Sequence, residues 1–114
     1  MDPTSWGGVA QNRNLLFFGT MDRGRFLAVD KKTGTIQWEF KGQSSAFATP
    51  AVENDTVVYG DNMGNLYTLD AGSGRLINRT NIGGGGIESI AVQNEVAVVG
   101  TKRGLLTAVD IGHL

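Results

Sequence analysis

Residues 15–40 read LLFFGTMDRGRFLAVDKKTGTIQWEF, and the same signature returns at 57–80 as VVYGDNMGNLYTLDAGSGRLINRT. A third copy, VAVVGTKRGLLTAVDIGHL, occupies 96–114. Asp30, Asp70 and Asp110 lie 40 residues apart, as do Gly24, Gly64 and Gly104, and Gly19, Gly60 and Gly100 are spaced by 41 and 40. The extra residue falls in the loop from Thr20 to Arg23. The register also runs upstream, where Ala51-Val52-Glu53-Asn54 matches Ala91-Val92-Gln93-Asn94 and Val9-Ala10-Gln11-Asn12 resembles both. A fixed period of this length is the mark of a repeat architecture, in which each unit buries its apolar faces against its neighbours.

Within each unit, four short runs are bounded by turn formers, the pattern of an antiparallel meander. Strand A is read as Gly7 to Gln11, Thr49 to Glu53 and Ser89 to Gln93. Strand B is read as Leu15 to Thr20, Val57 to Asp61 and Val96 to Thr101. Asn-rich turns at Asn12-Arg13-Asn14, Asn54-Asp55 and Asn94-Glu95 join A to B, since Asn tolerates the left-handed backbone of a tight hairpin. Gly24, Gly64 and Gly104 close the turns into strand C, at Phe26 to Asp30, Leu66 to Asp70 and Leu106 to Asp110. Strand C carries apolar residues at both parities, with Phe26, Leu66 and Leu106 on one face and Val29, Leu69 and Val109 on the other, so both faces are expected to be buried. Strand D, Ile36 to Phe40 and Leu76 to Thr80, turns polar in the second unit, as an outer edge strand does. Stacked four-stranded sheets of this period describe an all-β, partial β-propeller. One segment, 1–114, holds repeats at about 7–46, 47–86 and 87–114: two complete blades and three strands of a third.

Composition narrows the function. The 114 residues include 17 Gly, 2 Pro and no Cys, with 10 basic against 11 acidic side chains. A net charge of -1 provides no electrostatic footprint for nucleic acid or an anionic membrane. The absence of Cys removes disulfides, thiolate metal sites and cysteine nucleophiles. Met1 to Gly8 has no basic region followed by an apolar run, and no segment approaches 18 apolar residues, so neither a signal peptide nor membrane insertion is expected.

Ala28-Val29-Asp30-Lys31-Lys32-Thr33-Gly34-Thr35-Ile36-Gln37-Trp38 fits A-x-D-x-x-x-G-x-x-x-W. This is similar to the tryptophan-docking motif of the PQQ-like (quinoprotein-type) propeller repeat family, and the resemblance covers about Gly7 to Asp110. It implies that the Asp fixes the turn after strand C, that the Gly takes a conformation other residues avoid, and that the Trp38 indole packs against the next blade. The second unit keeps Asp70 and Gly74 but has Thr68 and Asn78 at the Ala and Trp positions; the third keeps Ala108 and Asp110. SSAFATPAV and the second unit resemble non-catalytic propellers typified by the outer-membrane assembly lipoprotein, which implies a protein-interaction scaffold and a periplasmic or extracytoplasmic setting. The first unit also resembles a blade of the quinoprotein alcohol dehydrogenases, which hold pyrroloquinoline quinone and calcium, the alternative reading.

Sites of chemistry are few. Asp30, Asp70 and Asp110 recur at one place in each unit, whereas acid–base pairs need carboxylates in different environments, so all three are read as structural. Gly83 to Gly86 lacks the Lys-Ser/Thr of a Walker loop and reads as an inter-blade connection. His113, the only histidine, has no second imidazole or thiolate to share a metal with, and Ser5, Ser44, Ser45, Ser73 and Ser89 have only that terminal base to draw on. Asp61-Asn62-Met63-Gly64-Asn65 offers oxygen ligands for calcium but is preferred as a Gly-closed turn. The sequons at Asn54 and Asn78 are treated as incidental. Trp6, Trp38, Phe40 and Tyr59 are read as core or blade-interface residues. No catalytic, cofactor-binding or metal residue is assigned, and no cofactor is expected for this chain alone. The expected partners are proteins, the remaining blades, or a second copy, because Phe26 and Val29 at one end and Leu106 and Val109 at the other mark strands with one uncovered side.

Overall fold

The computed structural model describes residues 8–20, 24–46 and 48–112. The proposed strand start at Gly7, the loop insertion at 21–23, Ser5, Trp6 and His113 lie outside the described residues. The first sheet contains β1 (Ala10–Gln11), β2 (Leu15–Gly19), β3 (Arg25–Asp30) and β4 (Ile36–Lys41). The second contains β5 (Ala51–Glu53), β6 (Thr56–Gly60), β7 (Asn65–Asp70) and β8 (Leu76–Asn81). The third contains β9 (Ile87–Gln93), β10 (Val96–Thr101) and β11 (Leu106–Asp110). Each sheet is an antiparallel meander in chain order. Because β1, β5 and β9 lie side by side, the three blades fan out from a shared inner edge.

Turn chemistry sets this geometry. Asn54 and Asn94, at φ 54° and 52°, take the left-handed conformation that a short A–B hairpin requires. Gly64 sits at φ +87°, and a Cβ there would fall 2.7 Å from the Gly83 carbonyl oxygen, so this B–C turn demands glycine for both conformation and space. In the C–D pairing the register shifts between Ala28 and Val29, and again between Thr68 and Leu69. This recurring β-bulge increases the local twist.

Two apolar layers hold the blades together. Between the first and second sheets, Phe17, Phe26 and Ala28 meet Val57, Tyr59, Tyr67 and Leu69. Between the second and third, Val58 and Leu66 meet Ile87, Ala97 and Val99. Each large side chain fully buried this way contributes about 1.5–3 kcal/mol, and the layers alternate with strand parity: one face of a blade meets the blade before it and the other the blade after it.

Parity also corrects the expectation that strand C is buried on both faces throughout. The middle blade achieves this fully, with Asn65 to Leu69 all buried, the first in part, with Phe26, Leu27 and Ala28 buried, and the third does not. Leu106 is 72% exposed whereas Leu66, its repeat equivalent, is 2% exposed. Phe26 is not an end residue, since it faces the second blade and is sealed there, and Val109 likewise packs inward on the second junction. The residues on the far side of the first blade are Leu16, Phe18, Leu27 and Val29, paired Leu16 with Val29 and Phe18 with Leu27.

Candidate functional site

The chemistry-bearing side chains gather at the blade junctions. At the first junction the Trp38 Nε1–H donates to the Ala71 carbonyl oxygen at 2.9 Å, tying β4 to the turn after β7. The indole lies against Gly74, where a Cβ would come within 2.5 Å of Trp38 Cδ2. With φ at +78°, Gly74 supplies both the turn and the flat floor for the ring. Phe17 and Phe26 flank the indole at centroid distances of 5.9 and 6.1 Å, and Phe26 stacks on Tyr59 at 4.1 Å. Tyr59 in turn stacks on Tyr67 at 4.6 Å, so one aromatic column crosses from the first blade into the second.

The repeat aspartates fix turns. Asp30 Oδ1 accepts from the Lys32 and Thr33 N–H groups, and these bonds, Thr33 foremost, hold its carboxyl below the usual range. Asp70 accepts from the Gly72 N–H and the Ser73 hydroxyl, and Asp110 from the Gly112 N–H. Ala28 is buried beside Trp38, its cross-strand partner, while Gly34 turns at φ +75° in the open. At the second junction Asn78 takes the tryptophan position and its amide oxygen accepts from the Arg79 N–H of its own strand. Ala108 is exposed on the outer face of the third blade. That junction is clamped elsewhere, because the Glu53 carboxylate accepts from the N–H groups of Asn94 and Glu95 at 2.8 and 2.9 Å. The Gly83 to Gly86 connection runs entirely at positive φ.

A buried polar network at the other end of the second blade escaped the sequence reading. Asp61 is fully buried, and its carboxylate accepts from the N–H groups of Met63 and Asn65, the Asn65 amide and the Tyr67 hydroxyl, all at 2.9–3.1 Å. Asn65 donates onward to Gln43 and accepts from Asn81, while the Gln43 N–H donates to the Tyr67 oxygen. The candidate calcium turn is thus built around protein donors on the carboxylate. Repeat comparison carried the signal: Asp61, Asn65 and Tyr67 change together to Thr101, Leu105 and Thr107.

Tyr59 has a fully buried hydroxyl with no protein partner. Burial is the main cause holding both phenols above the ordinary tyrosine value of 10.0, helped at each by the nearby Asp61 and opposed at Tyr67 by the Gln43 N–H. As pH rises past about 10 the unfolded chain releases these protons first, so stability is full below that pH and falls above it. Denaturant midpoints should therefore hold to about pH 10 and drop from there to about pH 12, and Tyr59→Phe with Tyr67→Phe should flatten the slope. A wild-type midpoint that stays level across this window contradicts the burial argument.

Comparison with known proteins fits this architecture. A family model described as outer membrane protein assembly factor BamB matches residues 3–112. The chain belongs to this family of PQQ-like β-propellers. A BamB from Kangiella koreensis is 33% identical over 82 residues, covering 71% of this chain and 21% of that protein. Tetrathionate hydrolase of Acidithiobacillus ferrooxidans is 32% identical over 57 residues, 50% of this chain and 11% of the enzyme. The crystal structure of BamB from Moraxella catarrhalis superposes with a TM-score of 0.78 at 26% identity, over 94% of this chain and 34% of that one. The computationally designed Ika8 protein shares the fold at a TM-score of 0.79 and 19% identity, over 88% of this chain and 31% of the designed one. The chain thus spans about a fifth of the curated BamB relative and about a tenth of the hydrolase. Among the described residues, no helix is long and apolar enough to cross a bilayer.

Proposed function

We propose that this chain is a non-catalytic blade module of the BamB type, a rigid scaffold that engages proteins, including the further blades of a larger propeller. The observation that carries this reading is the contrast between equivalent faces: Val58 and Leu66 are sealed under the next blade, while Val98 and Leu106 stand 42% and 72% exposed. An apolar face of this kind marks an interface. The polar groups of the repeats serve the blades themselves, as turn acceptors at Asp30, Asp70 and Asp110 and as clamps at Trp38 and Glu53. The name of the Kangiella relative, an outer membrane protein assembly factor, suggests partners in that process.

A graft tests the reading. Replacing the matching blades of the Kangiella protein with this chain should preserve that protein's role in outer-membrane assembly, whereas a folded graft that loses it counts against the scaffold. As a second arm, we propose that the isolated chain binds neither pyrroloquinoline quinone nor calcium tightly. Gel filtration after incubation, read in the quinone absorbance band, should leave the protein peak uncoloured; a stoichiometric coloured complex favours a quinoprotein fragment.

A further inference from the structure

We propose that the aromatic column between the first two blades is a one-electron relay, which carries an oxidising equivalent from Trp38 to a redox-active tyrosine, Tyr67, that passes its phenolic proton to Asp61. Every residue of this path lies inside one junction between two blades of this chain. Trp38 is half-buried, so its indole meets a diffusing radical oxidant, and Phe26, Tyr59 and Tyr67 follow it with ring centroids 6.1, 4.1 and 4.6 Å apart in turn. The last three rings are buried. Thiols are the usual target of oxidants, and this chain has none. The two tryptophans and two tyrosines are left as its readily oxidised aromatic side chains.

Hydrogen bonding sets the direction. The Trp38 Nε1–H is held by the Ala71 carbonyl at 2.9 Å, and an amide oxygen accepts a hydrogen bond without taking up the proton, so the oxidised indole stays a cation and a strong oxidant. Tyr59 is not the terminus, because its buried hydroxyl has no partner to receive the proton that an oxidised phenol releases. Tyr67 has one. Its hydroxyl donates to Asp61 Oδ2 at 3.1 Å, while Asp61 Oδ1 accepts from the Met63 and Asn65 N–H groups, so a proton arriving on Oδ2 leaves those backbone bonds in place. The Gln43 N–H donates to the Tyr67 oxygen at 3.0 Å and holds it when that oxygen becomes radical. In balance, the oxidant takes one electron from Trp38, Tyr67 returns one electron to the indole across Tyr59 and Phe26, and the phenolic proton moves to Asp61. The products are the reduced oxidant, a neutral Tyr67 phenoxyl radical and a protonated Asp61 carboxyl. The fold of the turn does not call for this pair. Thr20 with Leu27 and Thr101 with Thr107 stand at the same places in the other blades, and the Thr20 and Thr101 N–H groups make the turn-closing bond that the Asp61 N–H makes to Asn65.

Pulse radiolysis with azide is the test, on the 114-residue chain carrying Trp6→Phe so that Trp38 is its one indole. The azidyl radical oxidises the indole and becomes azide. The indolyl absorbance should then decay as a phenoxyl absorbance rises, at a rate that is independent of protein concentration and slower in heavy water, because a proton moves with the electron. Tyr67→Phe should abolish the phenoxyl signal although Tyr59 remains, with an unchanged β-sheet circular dichroism spectrum. Tyr59→Phe, which leaves Tyr67 as the one phenol, should keep the signal and decides the terminus alone should Tyr67→Phe disturb the spectrum. Asp61→Asn replaces the proton acceptor with an amide of the same shape and should slow the phenoxyl rise; should it unfold the chain, the heavy-water effect reads the same proton step. No phenoxyl signal in the Trp6→Phe chain, or a rate that scales with protein concentration, overturns the relay. A signal that survives Tyr67→Phe or is lost in Tyr59→Phe overturns Tyr67 as its end, and equal rates in light and heavy water overturn the transfer to Asp61.

Discussion

Trp38→Ala should destabilise the protein by ~3–5 kcal/mol, the range for truncating a large aromatic in a packed interior. Two losses combine. The indole fills the corner between β4 and the turn at Ala71 to Gly74, contacts Phe17 and Phe26, and leaves against Gly74 no room that a neighbour can occupy. Its Nε1–H also satisfies the Ala71 carbonyl, a bond worth about 1 kcal/mol net. Because the ring is only half-buried, the lower part of the range is expected. Trp38→Phe separates the two contributions, since it keeps an aromatic ring and removes the hydrogen bond. Denaturant melts of both variants provide the measurement: a loss below about 1 kcal/mol for Trp38→Ala would show that the junction does not depend on the indole. The effect should also reach beyond the first blade, because a repeat array draws its stability from neighbour contacts and the second blade contributes its Tyr59 and Tyr67 to the same column.

Much of this fold could be read from the sequence, for identifiable reasons. Strand period and turn residues are local properties, so the hairpins at Asn54 and Asn94 and the glycine turns at Gly64 and Gly74 follow from backbone conformations that few residues accept. Strand ends moved by a residue or two, as at β9, which begins at Ile87 instead of Ser89. Side-chain direction was harder to read. Phe26 and Leu106 share a repeat position, but one is sealed and the other bare, because burial depends on which blade follows and not on the residue itself. Parity identifies the two faces of a strand without saying which neighbour each meets. The Asp61 network was missed for a related reason: searching for what the repeats hold in common discards the places where one unit differs, and Asp61, Asn65 and Tyr67 are such places.

That difference predicts the second large effect. Asp61→Ala removes an acceptor used by four protein donors in a site closed to water, leaving the Met63 and Asn65 N–H groups, the Asn65 amide and the Tyr67 hydroxyl short of a partner. Each buried polar group left unsatisfied costs about 1–3 kcal/mol, and breaking one side of a buried charged network costs about 3–5 kcal/mol. A loss of ~3–5 kcal/mol is expected, with the turn at Gly64 loosening first. Asp61→Thr should recover part of it, since the Thr101 hydroxyl holds the equivalent turn by accepting from the Leu105 N–H. Recovery stays incomplete while Asn65 and Tyr67 still present donors that a single hydroxyl cannot satisfy. Converting all three to the residues of the third blade, Asp61→Thr with Asn65→Leu and Tyr67→Thr, removes the two side-chain donors together with the carboxylate and leaves a hydroxyl for the backbone N–H of residue 65, and so should cost less than the sum of the separate changes. It also deletes one ring of the aromatic column, so it should remain less stable than the wild type. Strict additivity across this cycle would mean that the three side chains act independently, and the network would then carry no coupling energy.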